Sequence, residues 1–260
     1  MTGTYIATDG TSLAFRILGE GDKDVLLIHG WMTSSVVYEG MATRMVEAGY
    51  RVILPDLRGV GASSESQTDY SLATYTSDMV CLLTHLGVER CAIVGHSMGG
   101  QIAQLLSLEA PEKVEAQVLL CPVPASGLPL PDDALGLFQS APGNAEALAT
   151  ILSIATVNLS DDDKAVLVDT AVPISSACLL GGLAAWTAGG FSDRLSATQA
   201  RTLVVASEDP FLPRDFLQQA VADLIPNARL TDVAGAGHYV QVEQCAEATQ
   251  QVLSFLSLGG

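Results

Sequence analysis

The sequence predicts an α/β fold: a mostly parallel, eight-stranded sheet with helices on both faces. Three observations predict it. Short uninterrupted apolar runs such as Val25-Leu-Leu-Ile28 and Cys91-Ala-Ile-Val94 suit strands buried on both faces. These runs alternate with stretches of helical spacing, the pattern of parallel strands joined by crossover helices. The 260 residues, 48% hydrophobic and 16% charged, hold enough apolar material for one large core.

The elements follow in order. Tyr5–Ala7 and Ser12–Leu18 are β-rich runs separated by Asp9-Gly10, a turn dipeptide, and predict a hairpin. Val25–Ile28 is the first fully buried strand. Val36–Ala48 has helical spacing and stops at Gly49, and Val52–Leu54 is the next buried strand, closed by Pro55-Asp56. A helix over about Leu72–Leu86 leads to the strand Cys91–Val94, the helix Met98–Leu108 and the strand Ala116–Leu120. Leu203–Ala206 and Arg229–Val233 are the last strands, with helices near Arg214–Leu224 and Val242–Leu256. From about Pro122 to Ser192 the alternation breaks, with helix-like segments and no strand. The expected organisation is therefore a core built from 1–121 and 193–260 with a helical cap, 122–192, inserted above the sheet.

Composition excludes several partners. The formal net charge is −17, from 29 acidic residues against 12 Lys and Arg, which repels polyanions and argues against nucleic acid. The first residues lack a basic region followed by an apolar one, so no signal peptide is expected. The five cysteines (Cys81, Cys91, Cys121, Cys178, Cys245) are scattered, odd in number and without a C-x-x-C pair; they read as thiols of a reducing cytoplasm. Thr170–Ser192 carries no charge, but Pro173 and two Gly-Gly pairs interrupt it. It reads as a pair of apolar helices over a pocket rather than a membrane span.

The chemistry centres on Gly95-His96-Ser97-Met98-Gly99, a G-x-S-x-G sequence lying directly between a buried strand and a helix. A strand that turns this sharply into a helix forces the serine into a strained conformation. Side chains two residues either side would collide, and Gly95 and Gly99 remove them, while Gly100 lets the helix pack closely. The hydroxyl of Ser97 is then presented at the carboxyl end of the sheet, beside a helix N-terminus that favours negative charge.

With this elbow in view, the chain resembles the α/β-hydrolase family. The resemblance extends over nearly the whole chain: His29-Gly30, the run Pro55-Asp56-Leu57-Arg58-Gly59-Val60-Gly61-Ala62-Ser63, Gly95 to Gly100, Ser207-Glu208-Asp209 and Gly235-Ala236-Gly237-His238, in the family's order at the family's strand ends. It implies the α/β-hydrolase fold with Ser97 as nucleophile, His238 as general base and Asp209 as the acid that orients it. A second family position for the acid, after the sixth strand, is Leu119-Leu120-Cys121-Pro122 here and offers no carboxylate. Glu208 would point away from the site in an extended chain. The resemblance also implies an oxyanion hole from the backbone N–H groups of Trp31 and Met98. The Trp31 side chain either walls the acyl pocket or packs in the core. Of the other histidines, His29 resembles the family's structural histidine beside the oxyanion loop and is a pocket candidate. His85 lies in a helix as a surface or packing residue. His96 is too close in sequence to turn its ring onto Ser97.

A serine nucleophile sets this chain apart from the family's dehalogenases and epoxide hydrolases, which resemble it but use aspartate. Met32-Thr33-Ser34 lacks the further histidine of the cofactor-free dioxygenases and the proline of the perhydrolases. The expected function is a serine hydrolase of the ester or lactone type, acting on an apolar or aromatic small molecule through an acyl-enzyme, with no cofactor and no metal. The alternatives are C–C bond hydrolysis, peroxide chemistry, or a ligand-binding receptor that keeps its triad. The candidate pocket residues are His29, Phe138, Trp186, Phe211 and Tyr239. The apolar cap residues Leu128, Leu130, Leu135, Phe138, Ile151, Ile154, Trp186 and Phe191 motivate the apolar substrate.

Overall fold

A computed structural model describes residues 1–258. In chain order these form β1 (Thr2–Ile6), β2 (Ser12–Leu18), β3 (Lys23–Ile28), α1 (Glu39–Glu47), β4 (Tyr50–Pro55), α2 (Leu72–His85), β5 (Cys91–His96), α3 (Met98–Glu109) and β6 (Val114–Leu120). There follow α4 (Asp132–Gln139), α5 (Ala145–Ala155), α6 (Asp161–Ala171), α7 (Ser176–Ala188), β7 (Arg201–Ala206), α8 (Arg214–Ala220), β8 (Arg229–Asp232), α9 (Val240–Glu243) and α10 (Cys245–Ser257). The sheet order is β1-β2-β4-β3-β5-β6-β7-β8. Only the β1/β2 and β2/β4 pairs are antiparallel. The rest run parallel, as the continuous apolar strands require: Val25–Ile28 and Val52–Leu54 are fully buried.

Helix boundaries differ from the spacing-based expectation where the chain must turn. The segment expected as one helix from Val36 begins as a 3₁₀ turn, Ser35–Tyr38, capped by Ser34, and α1 starts only at Glu39. The segment from Arg214 likewise ends as α8 at Ala220 and continues as a 3₁₀ turn, Ala222–Leu224. Gln244, at φ −129°, separates α9 from α10 where a single helix was expected. The uncharged stretch from Thr170 to Ser192 holds one whole helix, α7, preceded by the end of α6, and not a pair. Pro173 and the Ser175 cap set that break. No single described helix is long and apolar enough to cross a membrane, and α6 and α7 meet at a bend of 106°.

Helices α4–α7 lie between β6 and β7. The incoming and outgoing legs of this insertion touch backbone to backbone: the N–H groups of Gly190 and Phe191 both donate to the Ala125 carbonyl, at 2.8 and 3.2 Å. A Cβ on Gly189 would sit 2.1 Å from the Gly127 nitrogen, so glycine is required there by contact as well as by its φ of +53°.

A buried ion cluster anchors the loop after β4. Arg58, 1% exposed, donates Nε–H and Nη2–H to the two oxygens of Asp78, itself 2% exposed, at 2.8 and 2.7 Å, and Nη1–H to Asp9 at 2.9 Å. This is a bidentate pair in the arrangement guanidinium geometry favours. Burial raises the Asp9 carboxyl, but hydrogen bonds from Arg58, Thr11 and Thr68 outweigh it and hold the group below the usual carboxylate range.

Two outcomes follow. Asp78→Ala leaves the buried guanidinium without its main partner and lowers the unfolding free energy by about 3–5 kcal/mol, read from urea denaturation at neutral pH. Because Asp9 is depressed in the folded state, its contribution is present above about pH 4 and lost as the pH falls through its lowered value. Urea midpoints measured from pH 6 to pH 2 should therefore fall more steeply for the unaltered chain than for Asp9→Asn.

Candidate active site

The elbow is assembled from backbone contacts. Ser97, between β5 and α3, has φ 56° and ψ −121°, a conformation costing about 1–3 kcal/mol for a residue with a side chain. It is held at both ends. Its N–H donates to Leu120 at 3.1 Å, and its carbonyl accepts the N–H groups of Gly100 at 2.9 Å, Gln101 at 3.2 Å and Val123 at 3.1 Å. The glycines leave room for this turn, each against a different neighbour. A Cβ on Gly95 would lie 2.3 Å from the Gly99 carbonyl oxygen, one on Gly99 2.1 Å from that of Ile28, and one on Gly100 2.7 Å from Pro122 Cβ.

His238 and Asp209 meet as a pair. Asp209, on the loop after β7 and 2% exposed, accepts the His238 Nδ1–H on Oδ2 at 2.6 Å and the Phe211 N–H on Oδ1 at 2.8 Å. That contact sets the imidazole tautomer and leaves Nε2 as an acceptor. Glu208 points away, as an extended chain requires, and accepts the Gly235 N–H at 2.9 Å. Ser97 and His238 line one cavity, although no hydrogen bond joins the Ser97 hydroxyl to His238 among the described residues. The backbone N–H groups of Trp31 and Met98 donate to no acceptor among the described residues. Met98 is the first residue of α3, where an N–H has no partner within the helix. Gly30 brings the two segments together: a Cβ there would be 3.0 Å from Ser97 Cβ.

The cavity has a volume of about 50 Å³. Phe138, Trp186, Phe211 and Tyr239 all line it, as do Trp31, Leu128, Leu130 and Ile151, and no Asp, Glu, Lys or Arg side chain does. Trp31 is therefore a wall residue, and it is a fixed one. Its ring stacks on Phe138 at 5.3 Å and 11°, meets Trp186 edge-on at 6.2 Å, and donates Nε1–H to the Leu179 carbonyl at 2.8 Å. Leu135 and Phe191 pack against the core instead, and Ile154 is 48% exposed. Burial raises the Tyr239 hydroxyl well above its usual range, so it is a neutral phenol whose ring packs against both His96 and His238, which also meet each other.

The remaining histidines are structural. His29 lies outside the cavity, a correction to its candidacy as a pocket residue: it is fully buried behind Trp31, donates Nδ1–H to the Gly30 carbonyl at 2.9 Å and accepts the Leu57 N–H on Nε2 at 2.9 Å. Burial lowers its pKa and keeps it neutral. His85 packs on Tyr5 and Phe15. His96, neutral through burial and the neighbouring His238, donates Nε2–H to the His238 carbonyl at 2.8 Å and so holds the His238 loop. Sequence reasoning missed that role, together with those of Ser207, which donates to the Gly237 carbonyl at 2.7 Å, and Glu243. No local signal distinguishes Glu243 from an ordinary acid on a surface helix.

Comparison with known proteins agrees with this architecture. An uncharacterized protein of Mycobacterium tuberculosis is 37% identical over 142 residues, 55% of this chain and 40% of that protein's length, so the match takes in less than half of the relative. A non-heme haloperoxidase of Rhodococcus erythropolis is 26% identical over 96% of this chain and 97% of its own. The solved structure of Est816, described as an N-acyl homoserine lactone degrading enzyme, superposes with a TM-score of 0.83 at 27% identity, over 97% of this chain and all of that one. Residues 24–166 match the family model described as alpha/beta hydrolase fold, and with that sheet order and that elbow the chain belongs to the α/β hydrolase fold family.

Proposed function

We propose that this protein is a serine hydrolase that cleaves a carboxylic ester or lactone of a small apolar or aromatic molecule through an acyl-enzyme on Ser97. The observation that carries the reading is the His238–Asp209 pair, joined at 2.6 Å, facing the cavity that also holds the strained Ser97. His238 Nε2 takes the hydroxyl proton as Ser97 Oγ attacks the carbonyl, and the ionised Asp209 stabilises the imidazolium that results. The N–H groups of Trp31 and Met98 receive the developing oxyanion, each worth about 3–4 kcal/mol in comparable sites. His238 then gives its proton to the leaving oxygen, and a water activated by the same imidazole releases the acid.

The cavity walls favour an uncharged acyl group, since a carboxylate or ammonium there would lose its hydration without a partner. At about 50 Å³ the space suits a short or slender group, because one water alone needs about 10–15 Å³. Much of the wall (Leu128, Leu130, Phe138, Ile151, Trp186) comes from residues 122–192, which we read as a cap. Est816 supports the lactone half of the reading by its described activity. The Rhodococcus haloperoxidase favours a second reading, in which hydrogen peroxide replaces water in attacking the acyl-enzyme and a peracid leaves.

Hydrolysis of a panel of nitrophenyl esters and lactones tests the main reading. Ser97→Ala should lose about 10⁴-fold or more in kcat, whereas equal rates in both proteins would remove Ser97 from the mechanism. Short-chain esters should lead, and Phe138→Ala should raise the kcat/KM ratio of a longer to a shorter acyl chain by about tenfold. An unchanged ratio would show that the acyl group binds elsewhere. Peracid formed in excess of acid, with hydrogen peroxide present, would favour the second reading.

A further inference from the structure

His238 sits on a glycine-rich loop, 235–239, and loops of this composition lose much conformational entropy when ordered. Something outside the loop must therefore hold it. On the elbow side this is His96, which donates to the His238 carbonyl at 2.8 Å. On the β7 side it is Ser207, which donates to Gly237 at 2.7 Å and accepts the Cys121 thiol at 3.2 Å. On the third side the loop meets the connection between α5 and α6. The His238 N–H donates to the Ala155 carbonyl at 2.7 Å, and Asn158 Nδ2 donates to Gly235 at 2.8 Å. The two backbones are in direct contact: a Cβ on Gly237 would lie 2.4 Å from that same Ala155 oxygen.

Glu243, on α9, stands at this seam. Its Oε2 accepts the N–H groups of Val157 at 2.7 Å and Asn158 at 2.8 Å, both from the insertion. The same carboxylate accepts the N–H of Gly237 at 3.0 Å and, on Oε1, that of Tyr239 at 3.2 Å, both from the His238 loop. Four backbone donors from two segments thus converge on one anion, and hydrogen bonds to a charged acceptor are roughly twice as strong as neutral ones. Neither segment carries another acceptor able to serve them all.

We propose that Glu243 is a positioning residue for the hydrolysis inferred above, on which this inference rests: its carboxylate locks the α5–α6 connection onto the His238 loop and so sets the imidazole relative to Ser97. The base is in register only while that part of the insertion is docked. Displacements of about 1 Å in such a group lower rates by about 100-fold. Glu243→Gln preserves the shape but takes the negative charge off the acceptor, and either amide orientation replaces one of its two acceptor oxygens with an NH₂ group aimed at a backbone N–H.

The experiment compares Glu243→Gln with Ser71→Ala, which removes the N-cap of α2 and touches nothing near His238. For each, thermal unfolding, kcat and KM on the best nitrophenyl ester, and the downfield proton resonance of the His238–Asp209 hydrogen bond are measured. In Glu243→Gln, kcat should fall about 10–100-fold with KM within about threefold, and the resonance should broaden or vanish. Ser71→Ala should keep both. A folded Glu243→Gln protein with either a normal kcat or an unaltered resonance overturns the proposal. If that variant does not fold, hydrogen exchange of the unaltered protein decides. The amides of Val157, Asn158, Gly237 and Tyr239 should exchange as one group, and exchange of the first two about 100-fold faster than the last two overturns it. The resonance and the exchange rates need no turnover. Loss of Ser97 dependence therefore strikes the hydrolase reading alone, and an unaltered Glu243→Gln protein strikes this one alone.

Discussion

The close approach of backbone to backbone beneath Ser97 is the constraint on which the rest of the structure depends. The turn from β5 into α3 works only because the carbonyl edge of β3, the first turn of α3 and the chain leaving β6 all press into space that side chains would fill. Gly95, Gly99 and Gly100 each leave a different one of these spaces open. The strain at Ser97 persists because the surrounding bonds over-determine it: its carbonyl alone serves three N–H groups. The same compression brings Gly30, which precedes Trp31, against Ser97. The strained Ser97 and the Gly30–Trp31 segment are thus set by one packing event.

Around this centre, the loops at the carboxyl ends of the strands are tied down by buried or half-buried polar groups. The loop after β4 is held by Arg58 between Asp78 and Asp9, and by the Leu57 N–H on His29. The insertion is fastened to the core at several places. Glu65 accepts the hydroxyl of Ser175, which caps α7, at 2.9 Å, and Glu243 takes Val157 and Asn158 at the other side. Between them Trp31 reaches up from the core to the Leu179 carbonyl. The contacts to Leu57, Val157, Asn158 and Leu179 each give a backbone group a partner. The consequence for function is that a site made almost entirely of loop residues rests on a frame that defines its geometry.

Hydrophobic burial and polar closure divide the work between them. The strands supply the core, with Val25–Ile28 and Val52–Leu54 free of solvent contact, and the insertion supplies a second apolar layer whose inner face is aromatic. The cavity is the gap between these layers. Its walls are apolar because both layers turn their core-facing sides toward it, and Ser97 and His238 reach it from the elbow and the glycine-rich loop.

The sequence by itself determined the strand order in time, the fold class, the elbow and the residues of the His238–Asp209 pair. Apolar periodicity and glycine spacing are local signals, and burial on both faces leaves a strand such as Cys91–Val94 no other composition. It also named Phe138, Trp186, Phe211 and Tyr239 as pocket candidates, and all four line the cavity. Only the tertiary structure decided the rest. His29, which resembled a structural histidine and was also a pocket candidate, serves only the backbone groups of Gly30 and Leu57. The two roles open to Trp31 merged, since its ring is both a wall and an anchor for α7. Glu243 and Ser207 gave no local sign of the hydrogen bonds they make, and Gln244 none of the break it makes between α9 and α10. The physical reason is the same in each case. A polar side chain's role depends on which backbone donors and acceptors come within about 3 Å of it. Those partners, 85 residues away for Glu243 and Asn158, are brought there by packing that no local pattern encodes.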